Sequence, residues 1–186
     1  ERVYGDRLVS LDDVSAYREI AAQQAKKHFA SYSMSRFFLP MKADPLIFCH
    51  YAEGIEDKIY DQVEDMNKLT DISVAALEDH NETNATMNLV LFEDAIKHTA
   101  RIARIILNPS GHALLVGVGG SGKQSLSRLA SFICGYVVRQ VQISATYGMS
   151  DLKTDLQEMY RKAGTKNEGT TFLFTDQQIV NERFLV

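Results

Sequence analysis

The sequence predicts an α/β fold: a partial parallel sheet flanked by helices and preceded by an α-helical segment. Three observations predict it. A glycine-rich loop, Gly117 to Ser125, stands between an apolar run, His112 to Val116, and a stretch with helical spacing, Gln124 to Phe132. Two β-branched or aromatic runs follow, Tyr136 to Ser144 and Thr171 to Thr175, with a helical pattern between them, which is the alternation of a parallel sheet. Upstream of residue 87 the apolar residues recur mostly at helical intervals.

The first predicted element is an amphipathic helix from about Leu11 to Ala30. Ser10 followed by Asp13 has the spacing of a capping box, and Val14, Tyr17, Ile20, Ala21, Ala25 and Phe29 repeat on one face. Lys26, Lys27 and His28 suit the negative end of its dipole. Pro40 and Pro45 break the pattern around Ser35 to Asp44, and Leu46 to Tyr51 reads as a strand or a buried turn in a connector between packed units. Ile59, Val63, Met66, Ile72, Ala76 and Leu77 predict one helix or two short ones, closed by the polar stretch from Asp79 to Asn88.

Leu89 to Phe92 is briefly extended. Glu93 to Leu107 then carries Phe92, Ile96, Thr99, Ala100, Ala103 and Ile106 on one face, with acids in its first turn and Arg101 and Arg104 near its end, so a helix is predicted there. Asn108, Pro109, Ser110 and Gly111 stop it and turn the chain into a strand at His112 to Val116. Beyond the loop, Tyr136 to Ser144 predicts a second strand. Ser150 is positioned to cap a helix that uses Leu152, Leu156, Met159 and Tyr160, and Thr171 to Thr175 predicts a third strand ending at Asp176.

Strand, glycine loop and helix in this order make a phosphate-binding loop. Gly117, Val118, Gly119, Gly120, Ser121 and Gly122 let successive backbone N–H groups curl around phosphate oxygens, the helix presents its positive end, and Lys123 reaches the outer phosphates. The position after the lysine usually holds the Ser or Thr that binds Mg²⁺. Here it is Gln124, with a hydroxyl one residue later at Ser125. A helix turns by about 100° per residue, so Ser125 does not simply replace that hydroxyl.

Asp176, at the end of a buried strand downstream of such a loop, occupies the place of the acid that orients Mg²⁺, a reading favoured over that of a cap for the helix that Gln177 onward predicts. The metal set read from sequence is therefore Asp176, Ser125 and Gln124. In hydrolysing ATPases built this way the next residue is commonly a glutamate that polarises water, and here it is Gln177. An amide orients water but takes up no proton at neutral pH, which predicts slow hydrolysis. Glu182 reads as an exposed helical residue, and no catalytic residue is assigned.

Composition narrows the classes. The 186 residues are 45% hydrophobic and 24% charged, with a net charge of −4 and no long basic run, so nucleic acid is not expected as the ligand. No apolar run approaches the roughly 20 residues that span a bilayer, so no membrane partner is expected either. Cys49 and Cys134 have neither metal-ligand nor disulfide-framework spacing. The chain begins at Glu1 without a leader and reads as an internal piece of a larger intracellular protein.

Met87 to Ile96 (MNLVLFEDAI) and Gly111 to Ala130 (GHALLVGVGGSGKQSLSRLA) resemble the fourth AAA+ module of axonemal dynein heavy chains. Phe172 to Asp176, Gln178 to Val180, and Phe184 with Leu185 resemble that module's second nucleotide motif, where the glutamate is often lacking. Arg2 to Val9 resembles the helical lid ending the third module. The resemblance implies a P-loop NTPase (AAA+) fold, with residues 1–50 as the lid of the preceding module, 51–86 as a helical connector and 87–186 as the first part of the fourth large subdomain. That subdomain has five parallel strands, of which three are read here, and the polar sensor residue and arginine finger are expected after Val186.

It also implies that Leu89, Val90 and Leu91 lie beside the adenine, that the cofactors are ATP or ADP with Mg²⁺, and that this module regulates more than it hydrolyses. The partners implied are the other modules of the same chain, dynein intermediate and light chains, and microtubules through a stalk outside this stretch. The location implied is the cytoplasm and the axoneme of a cilium or flagellum. A catalytically active ATPase module is the alternative. A P-loop nucleotide kinase is a weaker alternative, since it would need acceptor and lid segments after the loop and none is evident in this stretch, and a GTPase is weaker still, since no Asn-Lys-x-Asp segment follows the loop.

Overall fold

The computed structural model describes residues 4–31 and 47–185. The helix break around Ser35 to Asp44, together with Arg2, Val3 and Leu46, lies outside the described residues. The chain forms two compact units, Glu1–Leu46 and Ile47–Val186.

In the first unit a single turn, Gly5–Arg7, precedes helix α1, Leu11–His28. The Ser10 hydroxyl caps α1 by accepting the Asp12 N–H at 3.2 Å, one residue earlier than a full capping box. Asp12 and Asp13 in its first turn and Lys26, Lys27 and His28 in its last both favour the dipole. The expected apolar face is not covered by the described residues: none of α1 is buried, and Ile20 is exposed.

The second unit starts with a small antiparallel pair, β1 (Phe48–Cys49) and β2 (Asp61–Gln62), in the register Phe48 to Gln62 and Cys49 to Asp61. The strand reading of Leu46 to Tyr51 is therefore the correct branch. Its partner was missed, because Asp61 and Gln62 are polar and lack β-branching. Pairing of β2 also delays the next helix. Val63 N–H bonds Ile47 C=O at 2.9 Å, and Asp65 then caps α2 (Met66–Thr83) by accepting the Asn67 N–H at 2.8 Å. The helix thus begins later than Ile59 and runs past Leu77.

Helix α3 covers Glu93–Leu107 as predicted, burying Ala95, Ile96, Thr99, Ala100, Ile102 and Ala103. Phe92, placed on its buried face from spacing, is its extended N-cap residue and is exposed. Helix α4 (Lys123–Ile133) packs on α3 and α2, burying Leu126, Leu129, Ala130 and Ile133. Alanines at 95, 100, 103 and 130 keep side-chain volume small where the helices pack. The buried hydroxyls of Ser73, Thr99, Ser127 and Ser131 donate to the carbonyls of Leu69, Ala95, Lys123 and Ser127 at 2.7–2.9 Å, so none is left unpaired. Cys49 and Cys134 belong to this core. Burial pushes their thiols up to about 11 and about 12, which keeps both protonated and unreactive at neutral pH.

Helix α4 ends in a Schellman motif: Gly135 at φ +70 donates to Phe132 C=O, and Tyr136 N–H bonds Ser131 C=O, each at 2.8 Å. The chain then enters β3 (Val137–Arg139), crosses through α5 (Met149–Lys166) and returns as β4 (Thr170–Phe172), parallel to β3. A parallel pair needs such a crossover, and the helical pattern between the strands supplied it. Both strands are shorter than their apolar runs, since the ladder ends where Leu173 N–H bonds Arg139 C=O at 2.8 Å. The N-cap of α5 is Gly148 and not Ser150; the Asp151 carboxylate accepts the Gly148 N–H at 2.8 Å. Tyr160, expected on the buried face of α5, is exposed.

The run His112 to Val116 forms no strand and is unpaired among the described residues, and Leu114 and Val116 are 89% and 87% exposed. Apolar pattern encodes a demand for burial, but a ladder exists only where a second strand lies in register. Gln177, expected to open a helix, lies in a single 3₁₀ turn, Asp176–Gln178.

Between α3 and this segment Gly111 has no room for a side chain. A Cβ there would stand 1.7 Å from Ile105 C=O, because the turn folds Gly111 N–H back onto Asn108 C=O at 2.9 Å. Gly111→Ala is expected to cost at least about 1–3 kcal/mol. Hydrogen exchange should report this as a tenfold or greater loss of protection in the last turn of α3; unchanged protection would mean that the turn tolerates a methyl group.

Candidate functional site

The loop Gly117 to Gly122 leads into α4, with Gly122 as the N-cap residue at φ +75 and ψ 5. Gly120 also has φ +75. Both backbones are left-handed, a conformation that glycine adopts without strain. A Cβ at Gly119 or Gly120 would meet nothing within 4 Å, so the loop is open on that side. Lys123 bends back over it: the ammonium donates to Gly117 C=O at 2.8 Å, Val118 C=O at 2.6 Å and Ser121 Oγ at 2.9 Å. A Cβ at Gly117 would lie 3.5 Å from that ammonium, an ordinary van der Waals contact, so the lysine's seat does not by itself demand glycine there. The result is a cation held at the positive end of a helix with glycine backbone on one side, which is an arrangement for an anion.

One residue of the segment Met87 to Phe92 meets the end of this loop. Leu89 Cδ1 is 3.8 Å from where a Gly122 Cβ would be. Met87, Leu89 and Leu91 pack on the core while Val90 is 79% exposed, so inward and outward positions alternate without a strand partner. An unforeseen residue fixes the start of this segment. Asn81 of α2 accepts the Met87 N–H at 2.8 Å and donates to Met87 C=O at 3.2 Å, substituting a side-chain amide for a sheet neighbour. Its polar surroundings gave no sequence signal for that role.

Downstream of β4, Asp176 and Gln177 are exposed, and Gln178 is buried. Gln178 Oε1 accepts Thr175 N–H at 2.8 Å and Thr175 O–H at 3.1 Å, and its Nε2 donates to Val141 C=O at 2.9 Å. Sequence reasoning named Gln178 only within the resemblance to the second nucleotide motif and gave it no role of its own. The signal was present, since Thr175 and Gln178 have the S/T-x-x-Q spacing of a capping box. Glu182 opens a separate exposed turn, Glu182–Leu185, whose Phe184 meets the Tyr147 ring edge-on at 6.1 Å.

Among the described residues no group of three or more His, Cys, Asp or Glu could hold a metal alone. Mg²⁺ carried by phosphate needs no such group, because it takes one or two carboxylates and fills its octahedron with phosphate oxygens and water. Asp176 offers an exposed carboxylate, Gln124 an exposed amide oxygen and Ser125 a half-buried hydroxyl. Gln124 and Ser125 are consecutive on α4 and so point about 100° apart. A cavity of about 570 Å³ lies elsewhere, lined by Arg139, Gln142, Tyr147, Asp151, Asp155 and Glu158 among others. It includes no residue of the glycine loop.

Residues 87–186 match the family model described as the P-loop containing dynein motor region D4. The whole chain is 56% identical to the dynein alpha chain of the flagellar outer arm of Chlamydomonas reinhardtii. It is 50% identical to the ciliary dynein beta chain of Tripneustes gratilla and to human dynein axonemal heavy chain 17. In each case the match takes in 100% of this chain and only 4% of the relative, so the chain spans a small part of the length of the curated relatives it matches. The chain belongs to the axonemal dynein heavy chains, with residues 87–186 in their P-loop motor region D4.

Proposed function

We propose that this chain contributes a nucleotide-binding regulatory module to an axonemal dynein heavy chain, an ATP-driven motor that moves toward microtubule minus ends and bends cilia. Residues 1–50 form the lid of the preceding module, 51–86 a connector, and 87–186 the first part of the nucleotide module. ATP or ADP sits with its phosphates on Gly117 to Lys123 and its adenine beside Leu89, Val90 and Leu91. Mg²⁺ bound with the nucleotide supplies positive charge to the phosphates, held from the protein side by Asp176, Ser125 and Gln124. The partners are the neighbouring modules, intermediate and light chains and, through a stalk outside this chain, microtubules; the place is the axoneme of a cilium or flagellum.

The observation that carries this reading is the seating of Lys123 on the glycine loop at the head of α4. The regulatory character follows from Gln177. It is exposed beside Asp176, where a hydrolytic site holds a base, and a general base contributes about 10²–10⁴-fold in rate. Single-turnover hydrolysis in the heavy chain, with the nucleotide sites of the other modules disabled, is expected to be slower by about that factor than at the chain's main hydrolytic site. Product formation as fast as at the main site would overturn the regulatory reading in favour of an active ATPase module.

A further inference from the structure

Beyond the last rung between β3 and β4, Leu173 N–H to Arg139 C=O, a side chain joins the two segments. Gln178 reaches from the turn after β4 to Val141 C=O on the continuation of β3, while its oxygen holds both the N–H and the O–H of Thr175. Its residue is 6% exposed. The main chain closes the same turn, with Gln178 N–H on Thr175 C=O at 3.0 Å and Ile179 N–H on Asp176 C=O at 3.1 Å. Asp176 and Gln177 are the two residues enclosed between these ties, and both face solvent.

We propose that Gln178 is a positioning residue for the magnesium–nucleotide site: its amide bridges the ends of β3 and β4 and so sets the direction in which Asp176 and Gln177 are presented. The inference rests on the nucleotide reading of the loop. Chemistry selects glutamine here. The site needs an acceptor for two Thr175 donors and a donor for Val141 C=O in one planar group, and only an amide provides both without charge. A glutamate would set a carboxylate oxygen against the Val141 carbonyl at hydrogen-bond distance. A methionine would leave the Thr175 donors and the Val141 acceptor unpaired in a buried place. Either change unties the turn from Val141 while leaving its main-chain bonds, the loop and Lys123 in place, so the loss should appear only in the part of the affinity that Mg²⁺ provides.

The test uses the heavy chain with its other nucleotide sites disabled and a fluorescent ATP analogue, titrated once with Mg²⁺ and once with EDTA. For Gln178→Glu and Gln178→Met the Mg²⁺-dependent gain in affinity is expected to fall by about tenfold or more, the usual consequence of losing an outer partner of a metal ligand. Affinity in EDTA should stay within about twofold of the parent, the scatter expected when the phosphate contacts are unchanged. An unchanged Mg²⁺-dependent gain overturns the proposal, and so does an equal loss with and without Mg²⁺, which would make Gln178 a general structural support. Where those variants do not assemble, Thr175→Val removes only the 3.1 Å hydroxyl bond and should give a smaller loss of the same Mg²⁺-selective kind; no loss there overturns the proposal as well. Failure of the parent chain to bind the analogue in either condition would instead refute the nucleotide reading itself.

Discussion

Lys123→Ala is expected to remove nucleotide from this module. The ammonium stands 2.6–2.9 Å from three loop oxygens, at the head of α4, and phosphate oxygens compete for the same donors. A hydrogen bond to a charged group contributes about 1.5–3 kcal/mol, and two such bonds to phosphate oxygens amount to about 3–6 kcal/mol. At 1.4 kcal/mol per factor of ten, affinity should drop by about 10²-fold or more. The fold should not follow. Gly117, Val118 and Ser121 are exposed, so their oxygens turn to water when the ammonium is gone, and protection of α4 in hydrogen exchange should stay close to that of the parent. Lys123→Arg is not expected to restore binding, because a planar guanidinium cannot occupy the seat of a compact ammonium beneath Gly117. Titration of a fluorescent ATP analogue in the heavy chain, other sites disabled, measures both variants. Full affinity in Lys123→Ala would end the reading of this loop as a phosphate site.

The largest effect on stability is expected at Leu129. Its side chain is fully buried, in the cluster that α4 shares with Leu69 and Ala76 of α2 and with Ile96, Ala100 and Ala103 of α3. Leu129→Ala leaves a cavity among side chains whose backbones are committed to helices, and such changes cost about 2–5 kcal/mol. Hydrogen exchange of α4 amides in the intact chain should therefore accelerate by about 30-fold or more, at 1.4 kcal/mol per factor of ten. Because α4 carries the phosphate loop at its head, saturating nucleotide should recover part of that protection by binding only the folded form. Protection equal to the parent's would show that Leu129 is not where this core is held.

These expectations divide unevenly between sequence and structure. The bounds of α3 were legible because its acids, its apolar stripe and the Asn108 to Gly111 stop all act within one helix. The glycine loop was legible for the same reason: glycine spacing and the following lysine are local statements about backbone freedom and charge. What failed was pairing. His112 to Val116 has the composition of a buried strand, yet among the described residues nothing pairs with it, while polar Asp61 and Gln62 do form a strand because Phe48 and Cys49 lie beside them.

By itself, then, the sequence determined the α/β alternation, the helix α3 and the loop carrying Lys123, since each depends on residues within a turn or two of one another. Only the tertiary structure decided that the Lys123 ammonium rests on Gly117, Val118 and Ser121, that Asn81 holds the start of the segment from Met87, and that Gln178 and not its neighbour Gln177 is the buried one. For Lys123 and Asn81, whose partners lie two to six positions away, the physical reason is the path the backbone takes between packed elements; for Gln178 it is range. Capping, helical spacing and glycine conformation are encoded over a few residues, whereas a hydrogen bond such as Gln178 to Val141, 37 positions apart, exists only after β3, α5 and β4 have packed.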